Sequence, residues 1–283
     1  VLSHQKSNTS SWLVDTKSTK SIKVNYAYYA AELNAGSTFL SADQMYVNPV
    51  NCLVFIDASA DQACELELRI PENYTVACNL KEENRILKAT NFDELVDSPF
   101  IASPNVQHGE YSVNDITFHL WIQGTEQIDW ERMKKDFIAF TQAQFNKFGE
   151  FPVEEYHFLF QIVPYRAYHG VEHCASTVIL LGPSHDIFKN FYSELLGVSS
   201  HELYHTWNVK AIRPIEMFPY DFKKENFSPL GYLCEGVTTY MGDLFLYKSK
   251  VFDFSQYALE MNKQLQKHFD NPARFNLSVA ASS

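Results

Sequence analysis

The sequence predicts an α+β protein, in which a β-rich N-terminal domain leads into a mixed domain that ends in helices. Polar and apolar residues alternate with the period of a strand in short segments before residue 117. Helical spacing of apolar residues begins near Asp129, and it dominates from Asp186 almost to the end. We therefore expect a loose segment at 1–20, a β-rich domain at 21–117 and a second domain at 118–283.

The N-terminal part contains the first predicted strands. Residues 1–20 are rich in Ser, Thr and Lys and give no sign of a packed element. Alternation of polar and apolar side chains predicts strands at 23–28 and 64–70, and Pro71 ends the second of them. A third strand is predicted at 117–122.

The second domain opens with a predicted helix from its N-cap, Asp129, to about Phe148. Two apolar runs follow, at 156–163 and at 176–181, and prolines stand directly or almost directly after both of them. Short apolar runs bounded in this way are typical of buried strands.

Composition excludes several classes of protein. The chain has 283 residues, 46% of them apolar, which rules out global disorder. Its net charge of −11 argues against binding nucleic acid or anionic lipid. No apolar run approaches the roughly 18 residues of a membrane span. The five cysteines are scattered and contain no C-x-x-C pair, which excludes a zinc ribbon.

Residues 201–205 form an H-E-x-x-H motif, which is typical of zinc metalloproteases. Positions i and i+4 of a helix lie on one face, so the imidazoles of His201 and His205 can bind one Zn²⁺ ion. Glu202 projects about 100° around the helix from His201. It can therefore reach a water beside the metal without ligating the metal itself.

A third ligand is required, and the sequence offers two candidates. Glu235 interrupts a helical apolar stripe and has Gly236 beside it, which permits another backbone to approach. A carboxylate in apolar surroundings needs a partner, and zinc would provide one. Glu225 is the alternative, but the lysines at 223 and 224 indicate a solvated loop. We therefore predict Glu235 as the ligand.

Several motifs together resemble the glycyl aminopeptidase family, family sixty-one of the metallopeptidases. They are Ser200–Lys210 with Ile212-Arg213-Pro214, Glu225-Asn226-Phe227 and Glu235–Tyr240. The resemblance implies a thermolysin-like catalytic domain of the gluzincin clan behind an N-terminal β domain, with Zn²⁺ held by His201, His205 and Glu235. Because the family continues into further helices and a PDZ domain, the chain is expected to be C-terminally truncated and weakly active or inactive.

A second motif supports this resemblance. Gly170-Val171-Glu172-His173 is similar to the family's Gly-Gly-x-Glu-His stretch on the edge strand beside the zinc, although His169 replaces its first glycine. The resemblance assigns Gly170, Glu172 and His173 to substrate binding, with Glu172 holding the α-ammonium of the substrate. Glu172 could instead be a solvated charge, and His173 could be an oxyanion donor or only pack behind the site.

Zinc-bound histidines usually donate their other ring nitrogen to a carboxylate or carbonyl. Asp243 lies two helical turns after Glu235, so we predict that it accepts from one of the two histidines. A surface position for Asp243 is the alternative. His119, His169 and His185 are interpreted as ordinary histidines.

The resemblance implies a zinc-dependent aminopeptidase that acts on peptides with a free N-terminus and prefers small first residues such as Gly or Ala. Glu202 would take a proton from the attacking water and pass it to the leaving amine. A thermolysin-type endopeptidase is the first alternative, and a catalytically silent, zinc-stabilised peptide-binding module is the second. We expect no nucleic-acid partner, no membrane span and a location in a bacterial cytoplasm or periplasm.

Overall fold

The computed structural model of the chain describes residues 2–282. Within them the strands are β1 (His4–Lys6), β2 (Trp12–Val14), β3 (Phe39–Leu40), β4 (Met45–Val47), β5 (Cys64–Glu67), β6 (Thr75–Ala77), β7 (Lys81–Glu83), β8 (Ile86–Ala89), β9 (Phe100–Ser103), β10 (Gln107–Val113), β11 (Ile116–Gln123), β12 (Glu155–Ile162), β13 (Ala167–Glu172) and β14 (Ser176–Gly182). The helices are α1 (Phe92–Val96), α2 (Trp130–Phe148), α3 (Tyr192–His205), α4 (Val237–Lys248) and α5 (Phe254–Asp270). A π-helical turn, Tyr232–Gly236, directly precedes α4.

The first third of the chain is β-rich, as the sequence predicts. A four-stranded sheet has the order β3-β4-β9-β6, and a three-stranded sheet has the order β5-β8-β7. Helix α1 packs on the smaller sheet through Phe92, Leu95 and Val96, which join one buried cluster with Leu87. Asn91 caps this helix by accepting a hydrogen bond from the backbone N–H of Glu94.

The second domain is built on a mixed five-stranded sheet with the order β10-β11-β12-β14-β13. Strand β11 is parallel to β12, and β12 is parallel to β14, whereas the two outer pairs are antiparallel. Strand β13 therefore forms an edge of the sheet, which is where the family resemblance places the Glu172 segment.

One face of this sheet packs against the helices. Phe118, Phe158 and Ile179 point to this face and join a large buried cluster with Phe137 of α2 and Leu195 of α3. Alternate residues point to the opposite face, because side chains of a strand alternate between its two sides. There Leu159, Val178 and Leu180 pack against residues of the four-stranded sheet, including Tyr46 and Ile101.

Helix α2 matches its prediction closely. The Asp129 side chain accepts a hydrogen bond from the backbone N–H of Arg132, which is the expected N-cap. Gly149 ends the helix with φ 83°, a left-handed conformation that glycine adopts without steric cost. Met133, Phe137 and Phe140 are fully buried on one stripe, so this helix covers the sheet that carries the site.

Three sequence-based predictions differ from the structure. Residues 1–20 contain a short antiparallel hairpin of β1 and β2, not only loose chain. The strand predicted at 23–28 is irregular, because nearly all of its side chains are exposed and no neighbouring strand pairs with it. Helical structure does not run on from residue 186, since the segment between α3 and the π turn is largely irregular.

The predicted domain boundary at 117–118 falls inside β11. Strand β10 pairs with β11 along its whole length, from Gln107↔Ile122 to Val113↔Ile116. The hairpin therefore belongs to the five-stranded sheet, and a boundary before Gln107 fits the sheet better. No helix within residues 2–282 is long and apolar enough to cross a lipid bilayer.

Candidate metal centre

Helix α3 carries the H-E-x-x-H motif and is buried almost all round. Leu195, Leu196 and Leu203 pack into the large cluster between the helices and the sheet. Glu202 is 4% exposed and His205 is 1% exposed, whereas His201 is half-buried. Residues 198–200 and 206–207, on either side of the motif, carry no charge, as expected of a helix that lies in the core.

The π turn before α4 brings Glu235 to the two histidines. Nε2 of His201 and Nε2 of His205 are 3.0 Å apart. Oε2 of Glu235 lies 3.4 Å from the first of these nitrogens and 3.6 Å from the second. The three atoms thus converge on one point, as the sequence predicts. Glu225 is exposed in an irregular segment and takes no part in this group.

Close packing of α3 and α4 makes this convergence possible. A Cβ atom added to Gly242 would lie 3.1 Å from both Cα and N of His201, so a side chain there would push the two helices apart by a few tenths of an ångström. The hydroxyl of Ser200 donates a hydrogen bond of 2.8 Å to the carbonyl of Gly242. The amide of Gln144 on α2 in turn donates to the Ser200 carbonyl at 2.8 Å.

Asn208 ties the end of α3 to the π turn. Its backbone carbonyl lies 2.7 Å from Nδ1 of His205 and accepts a hydrogen bond from it. Its side-chain amide donates to the Leu233 carbonyl at 3.0 Å and also contacts Oγ1 of Thr238 at 3.0 Å. With Nδ1 held as the donor, Nε2 is the nitrogen that binds a metal once its proton is displaced.

The prediction that Asp243 accepts from one of the histidine rings is wrong. Nδ1 of His205 faces the carbonyl of Asn208, and Nδ1 of His201 lies 3.4 Å from the hydroxyl of Thr239. Backbone and hydroxyl oxygens on nearby segments thus take the positions that a carboxylate would take. Burial and Glu260 of α5 raise the pKa of Asp243 to about 6.

The edge strand β13 lies against Glu202. A Cβ atom added to Gly170 would lie 2.0 Å from Oε1 of Glu202, so the strand can pass this carboxylate only because residue 170 has no side chain. The carboxylates of Glu172 and Glu202 and a ring nitrogen of His205 all lie within 4.8 Å of one another. Gly170 and Glu172 are therefore both at the centre.

His173 lies at the end of the same strand and is held by the N-terminal domain. Its Nδ1 is 3.1 Å from Oδ1 of Asp97, which follows α1. Asp97 also accepts from the backbone N–H of Cys174 at 2.7 Å and from Nζ of Lys210 at 3.0 Å. Burial alone would raise the pKa of Asp97, but His173, Lys210 and the Cys174 N–H hold it well below its usual range.

The electrostatics of the centre fit a bound cation. Burial and the neighbouring Glu172 carboxylate raise the pKa of Glu202 well above its usual range. Hydrogen bonds with His201 and His205 hold the pKa of Glu235 well below its usual range. Burial would lower the pKa of His205, but the surrounding carboxylates raise it to about 9. Without a metal, protons on Glu202 and His205 offset the charge of the neighbouring carboxylates, and a divalent ion bound to the histidines would take over this role.

The donor geometry also fits zinc. Ligand atoms about 2.0–2.2 Å from a tetrahedral Zn²⁺ lie about 3.4 Å from one another. The three distances among His201, His205 and Glu235 are 3.0, 3.4 and 3.6 Å. Oε2 of Glu202 is buried without a hydrogen-bond partner, which is expected of a group that acts on a ligand in the centre.

Comparison with known families identifies the chain. The model of the Peptidase M61 N-terminal domain matches residues 1–104, and the model of M61 glycyl aminopeptidase matches residues 194–283. The chain belongs to the M61 glycyl aminopeptidase family. The second of these matches includes the H-E-x-x-H motif and Glu235. A comparison with curated protein sequences gives no match.

A solved structure shares the fold of this chain. An aminopeptidase N family protein from Idiomarina loihiensis aligns with a TM-score of 0.83 at 27% identity over 90% of this chain. The alignment covers 46% of that protein, so the present chain spans about half of its length. An M1 zinc metallopeptidase from Deinococcus radiodurans aligns at 16% identity with a TM-score of 0.47, over 81% of this chain and 52% of its own.

Sequence reasoning missed three residues of this site. The carbonyl of Asn208 contacts the ring of His205, and the hydroxyl of Thr239 contacts that of His201. Asp97 contacts His173 at the end of β13. Asn208 stands three residues after His205, where α3 has just ended. A polar side chain at that place could have indicated a residue that holds the end of the helix. Asp97 had no local signal, because its partners lie more than 70 residues away.

Proposed function

We propose that this peptidase is a zinc-dependent aminopeptidase that removes small N-terminal residues, Gly or Ala, from peptides. One observation carries the proposal. The donor atoms of His201, His205 and Glu235 lie within 3.6 Å of one another. Two further carboxylates, of Glu202 and Glu172, lie beside them. Peptide hydrolysis at a free N-terminus needs a metal ligand set, a base and an anchor for the ammonium group, and this arrangement offers all three.

His201, His205 and Glu235 would hold the zinc. Two neutral imidazoles and one carboxylate form a ligand set typical of catalytic zinc sites that keep a position open for water or substrate. Zinc bound there would supply Lewis acidity at the scissile carbonyl and lower the pKa of water to about 7. The hydrogen bond from Nδ1 of His205 to the Asn208 carbonyl fixes the ring with its Nε2 facing the centre.

Glu202 is the general base of the proposal. Its carboxylate is buried, has one oxygen without a partner and lies beside His205. It takes a proton from the attacking water and then gives this proton to the amine that leaves when the peptide bond breaks. Gly170 keeps strand β13 close to this carboxylate and limits the positions that it can adopt.

Glu172 is the proposed anchor for the α-ammonium group of the substrate. It lies on the edge strand, within 4.8 Å of Glu202, so it defines a fixed distance between the substrate N-terminus and the base. An anchored ammonium places the first peptide bond at the centre, which converts a peptidase into an aminopeptidase. The preference for Gly and Ala rests on the family to which the chain belongs.

The test compares hydrolysis of free and N-acetylated glycyl and alanyl peptides by the wild-type chain, two site variants and one control variant. Glu202→Gln should keep zinc and lower kcat by about 10²–10⁴, since it removes general-base catalysis. Glu172→Gln should keep zinc and raise KM for free-amine peptides. Glu225→Gln, an exposed glutamate, is the matched control and should behave as the wild type.

Each other outcome has a clear meaning. Equal cleavage of free and acetylated peptides would establish an endopeptidase. Stoichiometric zinc without hydrolysis of any peptide, both by this chain and by a longer form that includes the family's further helices, would favour a silent zinc-stabilised binding module. Full activity of Glu202→Gln would remove this residue from the mechanism.

A further inference from the structure

A cluster of imidazoles lies on the face of the five-stranded sheet opposite α2. His108 of β10, His119 of β11 and His157 of β12 occupy neighbouring strands on this face, because Glu110 pairs with His119 and His119 pairs with His157. The rings of His108 and His119 stack with centroids 5.2 Å apart, and those of His119 and His157 stack at 4.4 Å. None of these side chains belongs to the metal centre described above.

Two of the histidines and one glutamate bring donor atoms together. Nε2 of His108 lies 3.0 Å from Nδ1 of His119, the same separation as between the histidine nitrogens of the metal centre. Oε2 of Glu110 lies 3.9 Å from Nδ1 of His119. All three donor atoms lie within 4.8 Å of one another, and His108 and Glu110 are exposed, so an ion can reach them from solvent.

The tautomer of His157 excludes it as a ligand. The indole N–H of Trp121 donates to Nδ1 of His157 at 3.1 Å, and an indole nitrogen can only donate. Nδ1 of His157 is therefore unprotonated, and the proton of the neutral ring is on Nε2. This Nε2–H is buried and faces Oε2 of Glu155 at 3.9 Å, so it can orient that carboxylate but cannot bind a metal.

Glu155 faces the ring nitrogen of His119 that points away from Glu110. Its Oε2 lies 3.8 Å from Nε2 of His119, close enough to favour the proton on that nitrogen. Nδ1 of His119 is then unprotonated and points toward His108 and Glu110. A histidine whose outer nitrogen faces a carboxylate is the usual arrangement at protein metal sites.

We propose that His108, Glu110 and His119 bind a second divalent transition-metal ion on the face of the sheet opposite α2, at its β10 edge. Imidazole and carboxylate donors suit Zn²⁺, Ni²⁺ or Cu²⁺ better than Mg²⁺ or Ca²⁺. Water fills the remaining positions, because the site opens to solvent on the side of His108 and Glu110. The ion links β10 to β11, so it stabilises the hairpin at the edge of the sheet.

The proposal is tested by counting bound zinc after equilibrium dialysis, with elemental analysis of the dialysed protein. His108→Ala and Glu110→Gln replace exposed side chains, so the fold should persist. His108→Ala should bind one Zn²⁺ equivalent fewer than the wild type and hydrolyse peptides at the wild-type rate. His185→Ala, another exposed histidine, is the control and should bind as much as the wild type.

A further variant separates this site from the catalytic centre. His205→Ala should bind one Zn²⁺ equivalent fewer than the wild type. The double variant with His205→Ala and His108→Ala should bind two fewer. Unchanged zinc content in both His108→Ala and Glu110→Gln would overturn the second site, whatever the catalytic centre binds. If His108→Ala lost zinc while His205→Ala kept the wild-type amount, the second site would stand. The proposed zinc site at His201, His205 and Glu235 would then be wrong.

Discussion

The backbone carbonyl of Asn208 accepts a hydrogen bond from Nδ1 of His205 at 2.7 Å. The same residue holds the π turn through its side-chain amide, which lies 3.0 Å from the Leu233 carbonyl. Asn208 thus fixes the orientation of one proposed ligand and the position of the segment that carries another, Glu235. Within residues 2–282, Asn208 alone bonds both to Nδ1 of His205 and to the carbonyls of the π turn.

Asn208→Ala should weaken zinc binding. The backbone carbonyl remains, but the π turn loses the amide that holds it near α3, so Glu235 becomes less well placed. Loss of such outer partners typically costs 10–100-fold in metal affinity. Competition with a chromophoric chelator measures this, and Asn146→Ala, an exposed asparagine on α2, is the control. Wild-type affinity in the Asn208 variant would show that packing alone holds the turn.

Gly170→Ala should reduce catalysis without removing zinc. The added methyl group would lie 2.0 Å from Oε1 of Glu202, so the carboxylate or the strand must move. Displacing a general base of this kind should lower kcat by about 10² or more. Gly197→Ala on α3 is the matched control, because its Cβ would meet no atom within 4 Å. Equal kcat in the two variants would contradict the placement of Glu202 as base.

Asp97→Ala should destabilise the fold strongly. Removing it leaves the buried ammonium of Lys210, whose side chain is 7% exposed, without its partner. Breaking a buried ion pair in this way typically costs about 3–5 kcal/mol. Urea unfolding at pH 7 measures the change. Asp57→Ala removes the exposed pair with Lys223 and should cost about 1 kcal/mol or less.

The ion pair of Asp97 should also make the stability of the fold depend on pH. The folded pKa of Asp97 lies below its ordinary value near 3.8. An acid whose pKa is lowered by folding stabilises the protein above its unfolded pKa, and this contribution is lost as the pH falls through the folded pKa. The difference in unfolding free energy between wild type and Asp97→Ala should therefore shrink below about pH 4. A constant difference between pH 7 and pH 3 would show that the ion pair is not its source.

The sequence predicts most of the proposed centre, because its chemistry is local. His201, Glu202 and His205 lie within one helical turn and a half, and their uncharged flanks indicate burial. Glu235 could be chosen over Glu225 from the charge of its neighbours alone, and the structure brings only Glu235 to the histidines. Glu172 was placed on an edge strand, and β13 forms that edge.

The remaining features depend on contacts between distant segments. The π turn gives no periodic signal, since it differs from an α-helix by one residue in a single turn. Asp97 reaches His173 only because α1 packs near the end of β13. Residues 23–28 alternate as a strand would, but they find no pairing partner. Asp243 has the right helical phase, but Thr239 and Asn208 are nearer to the rings.

Asp243→Asn should stabilise the protein at neutral pH. Burial and Glu260 raise the pKa of Asp243 to about 6, with Lys263 opposing them, so ionisation of this carboxyl disfavours the folded state. For an acid whose pKa is raised by folding, stability falls as the pH rises from the unfolded pKa, near 3.8, to the folded one.

Asp243→Asn cannot ionise, so its stability does not fall in this way as the pH rises. It should gain about 1–2 kcal/mol over the wild type at pH 7.5, after allowance for solvent screening, and almost nothing at pH 4. Urea unfolding across this pH range measures the difference, and Asp115→Asn, in the exposed turn between β10 and β11, should show none. If Asp243→Asn instead lost zinc affinity with no gain in stability, Asp243 would support the histidines after all. Thr239 would then be only a neighbour of His201.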